Sequence, residues 1–245
     1  SGRVIARIRP ALTMTVVLDS SSTVLFDLDG TLVDTAPDFT AVLNNMCRAA
    51  GIAPPTAQAI HATVSSGARA LVELSFRKQP GDTGFDQLLQ QLLDAYGQQL
   101  LQSHAVLYPG MCALLDRLQQ AGIAWGVVTN KPLRFSEPLL AGLGLSTACA
   151  VLICPDHVTR TKPDPEPLLL ACQRVQCAPE KSVYIGDHPR DIDAGRAASM
   201  HTIAAAYGYL PLQPPVSSWS ADFIAHQVSD IADYLWPTTD APATN

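Results

Sequence analysis

Two aspartates separated by one residue follow directly after an apolar segment near the start of the chain. Residues 24–26 lead into Asp27, and Asp29 and Gly30 come next. Residues two apart on an extended chain point to the same side, so both carboxylates can face one pocket. Because like charges at this spacing repel each other, the pair requires a nearby cation, a shared proton or full exposure to water. A solvated turn at the end of a strand is the alternative to a functional site.

Three later segments carry polar side chains that complement this pair. They are Thr129-Asn130-Lys131, Lys162-Pro163-Asp164-Pro165 and Gly186-Asp187-His188-Pro189-Arg190-Asp191. Together with the first pair they offer several carboxylates for a hard divalent cation, a hydroxyl and an ammonium for an anion, and one acid free to react. The four segments therefore form a candidate site, provided that the fold brings them together.

Short apolar runs alternate with segments of helical periodicity along most of the chain. The runs are residues 24–26, 125–128, 151–153, 183–185 and 202–205. Strands that alternate with helices imply crossover connections and a parallel sheet buried on both faces. Ligands of such sheets bind at the carboxyl ends of the strands, which is where Asp27, Thr129 and Asp187 fall. The pattern predicts an α/β fold with a Rossmann-like parallel sheet as its core.

The alternation is interrupted once, by a long segment whose apolar spacing is mainly helical. We predict an inserted α-helical cap over residues 37–105, within a discontinuous α/β core of residues 14–36 and 106–238. At the usual length of helices in globular proteins, an insertion of this size has room for several of them. The terminal residues 1–13 and 239–245 are predicted to be disordered, since the C-terminal segment is rich in Pro and Thr.

Bulk composition excludes several classes of protein. The 245 residues are 47% hydrophobic with a net charge of -6, which argues against nonspecific nucleic-acid binding. No apolar run approaches the length that a bilayer requires, and the basic N-terminal segment lacks the features of a signal peptide. The six cysteines form no C-x-x-C pair. These features predict a reduced, cytoplasmic protein without membrane or nucleic-acid partners.

The four polar segments, in this order, resemble the motifs of the haloacid dehalogenase-like (HAD) phosphohydrolases, whose signature is D-x-D-G-T. The helical insertion resembles the cap of the phosphoglycolate phosphatase-like branch, and the resemblance extends from Val24 to about Trp236. Within that branch, residues 126–135 and 152–158 look especially like the N-acetylmuramic acid 6-phosphate phosphatases of peptidoglycan recycling. Residues 65–70 and 162–167 share this resemblance.

The resemblance implies a mechanism for phosphomonoester hydrolysis. Asp27 is expected to attack phosphorus and form an aspartyl-phosphate, and Asp29 to protonate the leaving oxygen and later accept a proton from water. Mg²⁺ is expected at Asp27, the main-chain carbonyl of Asp29 and Asp187, where it cancels the repulsion between carboxylate and phosphate. Asp191 is expected to support the water shell of the metal or Lys162; a structural ion pair with Arg190 or Arg196 is the alternative.

Phosphate binding is expected at Thr129, Asn130 and Lys162, and Gly30 is expected to let the main chain approach the phosphate closely. Thr129 and Asn130 as a simple helix cap, and Lys162 as a solvated loop lysine, are the alternatives. His188 departs from the family pattern, in which a small polar or acidic residue is common. An outward-facing loop histidine is the favoured interpretation of this position, and a histidine that reduces the negative charge of the metal site or contacts the substrate is the alternative.

The substrate is predicted to be a small anionic phosphate ester. N-acetylmuramic acid 6-phosphate is the first candidate and 2-phosphoglycolate the alternative, since each pairs a carboxylate with a phosphate. Arg69, Lys131 and Arg134 are candidate residues for recognising the second anionic group. A noncatalytic phospholigand-binding module is the rival from another class. The oligomeric state is left open between monomer and homodimer.

Overall fold

A six-stranded parallel sheet forms the centre of the protein. The computed structural model describes residues 16–237, so the predictions for 1–13 and 239–245 lie outside the described residues. The sheet consists of β1 (Thr23–Phe26), β4 (Ala124–Val128), β5 (Val151–Ile153), β6 (Val183–Gly186), β7 (His201–Ala205) and β8 (Phe223–Ala225). Their spatial order is β5-β4-β1-β6-β7-β8, with every neighbouring pair parallel. This arrangement confirms the predicted α/β fold class.

A second, antiparallel pair of short strands stands where the helical segment leaves and rejoins the sheet. β2 (Val33–Asp34) pairs with β3 (Val106–Leu107), so that Val33 lies opposite Leu107. Between them run four α-helices: α1 (Ala36–Ala49), α2 (Ala57–His61), α3 (Ala68–Phe76) and α4 (Phe85–Gln99). The predicted boundaries of the cap, at residues 37 and 105, stay a prediction.

Five further helices connect or follow the strands of the sheet. They are α5 (Met111–Gln120), α6 (Leu133–Gly142), α7 (Glu166–Val175), α8 (Pro189–Ala197) and α9 (Val228–Leu235). One face of the sheet packs around Val24, Phe26 and Ile185, and the other packs around Leu25 and Tyr184. Apolar side chains on both faces account for the continuous apolar runs of the central strands.

The helical segment has an apolar core of its own, which also takes residues from the sheet domain. Leu43, Leu71 and Leu92 of the cap helices are fully buried in one cluster, together with Phe135 of α6 and Tyr209. Apolar burial is the main stabilising contribution to such contacts. The cap is therefore packed against the sheet domain and covers the carboxyl ends of its strands.

Two sequence expectations can be checked against the whole described region. Among residues 16–237, no helix combines the length and apolarity that a bilayer crossing requires. All six cysteines are free thiols, as predicted from their spacing.

Candidate active site

Asp27 lies at the carboxyl end of the central strand β1. Its main-chain N–H donates to the carbonyl of Ile185 at 2.8 Å, which extends the pairing of β1 with β6 by one residue. Its carboxylate is 3.0 Å from the ammonium of Lys162. Burial raises the pKa of Asp27 to about 6, although the Lys162 ammonium acts in the opposite direction. The sheet thus holds a buried carboxylate beside a single buried cation.

Asp187 and Asp191 complete a buried acidic cluster with Asp27. One carboxylate oxygen from each of the three lies within 4.8 Å of the others. Burial, followed by the charges of Asp27 and Asp191, raises the pKa of Asp187 well above its usual range. Three buried carboxylates and hard oxygen donors fit a divalent cation, which would remove their repulsion. The cluster includes the side chain of Asp191 and not that of Asp29. Metal binding by Asp27, Asp29 and Asp187 therefore stays a prediction.

Lys162 is the buried cation that joins three parts of the site. Its Nζ lies 2.8 Å from Asp191 and donates to the hydroxyl of Tyr184 at 2.7 Å and to the carbonyl of Val128 at 3.1 Å. Burial lowers the pKa of Lys162, but the charges of Asp191 and Asp27 raise it more, so the net pKa is raised. Lys162 is therefore not a solvated loop residue.

Asn130 fixes the position of the Lys162 main chain. Its Nδ2 donates to the Lys162 carbonyl at 3.0 Å, and its Oδ1 accepts from the Lys162 N–H at 3.2 Å. The Oγ1 of Thr129 accepts from the N–H of Lys131 at 3.1 Å, so Thr129 also stabilises its own turn. Both residues line the cavity in front of Asp27. Phosphate contacts from these two residues stay a prediction.

The carboxylate of Asp29 is held by two neighbours through the same oxygen. Oδ1 accepts from the hydroxyl of Thr35 and pairs with the ammonium of Lys131 at 2.8 Å. No hydrogen bond to Oδ2 is formed by any residue from 16 to 237. The side chain thus offers one oxygen to the cavity, which Asp29 lines.

Lys131 is buried inside this site instead of standing free at its entrance. Its ammonium lies 4.4 Å from the ring centroid of Tyr96 and 5.1 Å from that of Phe39. Burial lowers the pKa of Lys131, but Asp29 and Tyr96 together raise it more, so the net pKa is raised. The predicted role in binding a second substrate anion is therefore not supported by this geometry, because Asp29 already neutralises the ammonium.

Gly30 is required by the packing around the carboxylate of Asp187. It has φ of +83°, and a Cβ at this position would overlap Oδ2 of Asp187 and crowd the ring of Tyr209. The expected reason for this glycine was close approach of the main chain to phosphate. The structure supplies a different reason, which is the space occupied by the Asp187 carboxylate.

One cavity of about 600 Å³ opens onto these residues from below the cap. From the cap, Ser65 donates to Asp187 at 2.8 Å, and Arg69 lines the cavity with an exposed side chain. Arg134 lies instead in a neighbouring cavity, where its guanidinium packs 4.6 Å from the ring centroid of Phe135. Three residues were predicted to recognise a second anion. Among them, only Arg69 lines the cavity in front of Asp27 and has no carboxylate partner in the region 16–237.

His188 does not face outward, contrary to the interpretation favoured by the sequence. It is half-buried and lines the cavity together with Arg190. Its Nδ1 accepts from the N–H of Arg190 at 3.3 Å and from the Arg190 Nε–H at 3.1 Å. Burial, and then the charge of Arg190, lowers the pKa of His188 to about 4. Asp191 in turn pairs with Lys162 and not with Arg190 or Arg196.

Sequence reasoning missed several residues that shape the site. They are Thr35, Ser65, Tyr96 and Tyr184, together with Arg190, which the sequence had suggested only as an ion-pair partner of Asp191. Tyr184 could have been found, because a tyrosine inside a buried strand needs a partner for its hydroxyl. The spacing of the other four residues contains no comparable signal, since their contacts depend on how the cap and loops fold over the sheet.

Comparison with known proteins supports the class that the geometry indicates. The model of the haloacid dehalogenase-like hydrolase family matches residues 24–205. The chain belongs to this family. It is 46% identical over 216 residues to an N-acetylmuramic acid 6-phosphate phosphatase of Pseudomonas aeruginosa, which covers 86% of this chain and 93% of that protein. The predicted class, an HAD-type phosphatase, is thereby confirmed.

The chain is also similar to proteins described as phosphoglycolate phosphatases. A phosphoglycolate phosphatase of Xanthomonas campestris pv. campestris is 40% identical over 215 residues, or 87% of this chain and 96% of that protein. A crystal structure described as a predicted phosphoglycolate phosphatase from Haemophilus somnus 129PT superposes with a TM-score of 0.77. The match is 24% identical and covers 88% of this chain and 98% of that one, which shows the shared fold.

Proposed function

We propose that the protein is a Mg²⁺-dependent phosphomonoesterase that hydrolyses N-acetylmuramic acid 6-phosphate. The observation that supports it most strongly is the buried group of Asp27, Lys162, Asp187 and Asp191, which opens onto a cavity of about 600 Å³. A cavity of this size has room for a sugar ring beyond the phosphate, whereas 2-phosphoglycolate would leave most of it unfilled. The 46% identical relative carries the same substrate in its name.

The reaction begins at Asp27, whose carboxylate oxygen attacks phosphorus and forms an aspartyl-phosphate. The bond from phosphorus to the sugar oxygen breaks, and that oxygen takes its proton from Asp29. Water then attacks the phosphorus of the aspartyl-phosphate, Asp29 accepts a proton from it, and Asp27 is released with inorganic phosphate. The Oδ2 atom of Asp29 is suited to these proton transfers, because Thr35 and Lys131 both bind Oδ1.

Phosphate binding and charge compensation fall to the residues around Asp27. Lys162 and Thr129 are placed to hold phosphoryl oxygens as negative charge develops. Asp27, Asp187 and the main-chain carbonyl of Asp29 would hold Mg²⁺, with Asp191 fixing Lys162 beside them. Bound there, Mg²⁺ reduces the repulsion between the attacking carboxylate and the phosphate. The predicted cytoplasmic location and the choice between monomer and homodimer stay predictions.

Replacement of the nucleophile tests the reaction type. Asp27→Asn is expected to lower phosphate release by roughly 1,000-fold or more, because an amide cannot form the aspartyl-phosphate. The folded structure should persist, since the substitution keeps the size of the side chain. Asp116→Asn, on the exposed side of α5, makes the same change in charge away from the cavity and serves as control. Full activity of Asp27→Asn would exclude this residue as the nucleophile.

A second experiment decides between the two candidate substrates. Two phosphoglycolate phosphatases are among the relatives at 40% identity, so 2-phosphoglycolate is the specific alternative. We expect kcat/KM to be higher for N-acetylmuramic acid 6-phosphate, because only this ester fills the cavity beneath the cap. A preference of about 100-fold for 2-phosphoglycolate, equivalent to about 2.7 kcal/mol, would reverse the assignment. A noncatalytic binding module would release phosphate from neither ester.

A further inference from the structure

Four Lys and Arg side chains line the cavity, and they fall into two groups. Lys162 is neutralised by Asp27 and Asp191, and Lys131 is neutralised by Asp29. Arg69 and Arg190 form no ion pair with any carboxylate in the region 16–237. The cavity therefore contains two guanidinium groups whose charge is not balanced by the protein. An anionic part of a ligand would provide that balance.

Arg190 is held in place by His188, which lies two residues before it in the chain. The Nδ1 atom of His188 accepts from Nε–H of Arg190 at 3.1 Å, and Nη2 lies 3.4 Å from Nε2 of the same ring. The imidazole thus occupies the edge of the guanidinium that carries Nε. The neighbouring edge, formed by Nη1 and Nη2, keeps one N–H donor on each of these nitrogens, in the geometry that matches a carboxylate.

The two guanidinium groups come from different parts of the molecule. Arg190 lies in the first turn of α8 in the sheet domain, and Arg69 lies in α3 of the cap. Both line the same cavity as Asp27. An anionic group at this place would contact the sheet domain and the cap together, while the phosphate occupies the end of the cavity next to Lys162.

We propose that Arg190, positioned by His188, forms with Arg69 a second anion subsite that binds the carboxylate of the substrate. This inference rests on the proposed function and deepens it, because it names the residues that select acidic phosphate esters. It replaces Lys131 and Arg134 in that role. Arg190 and Arg69 contact the substrate, whereas His188 acts through Arg190 and is a positioning residue.

Paired substrates test the subsite directly. N-acetylmuramic acid 6-phosphate and N-acetylglucosamine 6-phosphate share the sugar and the phosphate, but only the first carries the lactyl carboxylate. Arg190→Met is expected to lower kcat/KM for the acidic ester by roughly 10- to 100-fold, and for the neutral ester by less than about threefold. Arg174→Met, an exposed substitution on α7, is expected to leave both values unchanged.

Binding measurements test the carboxylate subsite independently of whether the proposed reaction is correct. In the Asp27→Asn background, calorimetry measures the Kd of each ester without turnover, and Arg190→Met should raise only that of the acidic ester. Equal losses for both esters, or no loss for the acidic one, would overturn the subsite. If the wild-type protein instead prefers 2-phosphoglycolate, the proposed substrate fails, and the same comparison is made between 2-phosphoglycolate and ethyl phosphate.

His188 is tested through its dependence on Arg190. His188→Ala should reduce kcat/KM for the acidic ester in the wild-type background and cause no further loss in Arg190→Met, because its effect passes through that guanidinium. His188→Asn retains a side-chain oxygen that can accept the Nε–H and should restore part of the activity. Additive losses in the double variant would exclude the positioning role.

Discussion

The role of a charged residue in this site depends more on the charges that it contacts than on its residue type. Lys131 has the residue type expected for an anion-binding group, yet its ammonium lies 2.8 Å from Asp29 and above two aromatic rings. Burial of an unpaired ammonium would be costly, so the pair is retained as a unit. In the proposed reaction, Lys131 would hold Oδ1 of Asp29 and leave Oδ2 for proton transfer.

Loss of this contact should affect turnover more than binding. Lys131→Met is expected to lower kcat by about 10- to 100-fold with a small change in KM, because Asp29 loses the cation that orients it. Steady-state kinetics with the acidic and the neutral sugar phosphates provide the measurement, and Lys181→Met on the surface is the control. A rise in KM confined to the acidic ester would instead return Lys131 to the predicted specificity role.

The junction between the cap and the sheet domain is formed by three aromatic side chains from three helices. Phe39 of α1 and Tyr96 of α4 are stacked with ring centroids 4.1 Å apart, and Phe135 of α6 meets Tyr96 edge-on at 5.4 Å. Such pairs add specific geometry to apolar burial. The hydroxyl of Tyr96 is buried beside the ammonium of Lys131, and the residue lines the cavity. Because an ammonium only donates, the O–H of Tyr96 can still donate to an oxygen of the substrate.

Removal of that hydroxyl separates substrate binding from stability. Tyr96→Phe should raise KM for N-acetylmuramic acid 6-phosphate by about 3- to 10-fold, because one hydrogen bond to the ligand is lost. The melting temperature should change little, since Lys131 keeps its ion pair with Asp29 when the hydroxyl is removed. Tyr108→Phe removes another buried hydroxyl, one that lies beside Tyr209 and outside the cavity, and should leave KM unchanged. A lower melting temperature with unchanged KM would contradict the substrate contact.

The molecule as a whole collects three carboxylates at one edge of its sheet, and this has a consequence for stability. Asp27 follows β1, and Asp187 and Asp191 follow β6, its neighbour in the sheet. Lys162 supplies one positive charge to this buried cluster. Uncompensated charge in a buried site destabilises the folded state, so a bound divalent cation should stabilise the whole domain.

Thermal unfolding measures this linkage without reference to activity. At about 100 times its Kd, Mg²⁺ should raise the Tm by roughly 5 to 10 °C, from the standard relations between ligand binding, free energy and melting temperature. Asp187→Asn removes one carboxylate and should abolish most of the Mg²⁺-dependent increase. It should also raise the Tm of the metal-free protein, because repulsion with Asp27 is relieved. Equal Mg²⁺ effects in both proteins would contradict a metal site at Asp187.

The sequence could predict the sheet and the strand-end residues because the signals for both are local. Apolar runs identify β1, β4, β5, β6 and β7, and parallel pairing then brings Asp27, Thr129 and Asp187 to one edge. β8 escaped prediction because its three residues are mostly half-exposed and lack a continuous buried pattern. The two-residue strands β2 and β3 are too short for any periodicity to be read.

The types and order of the candidate catalytic residues were therefore determined by the sequence itself, since strand ends and motif spacing do not depend on distant side chains. Only the tertiary structure decided which cation neutralises which carboxylate. Asp29 and Lys131 are 102 positions apart, and their pairing requires the packing of β4 beside β1. The tertiary structure also decided that His188 and Arg190 face the cavity, because this depends on where α8 begins beneath the cap. The partners of a side chain are set by the surfaces that surround it in the fold.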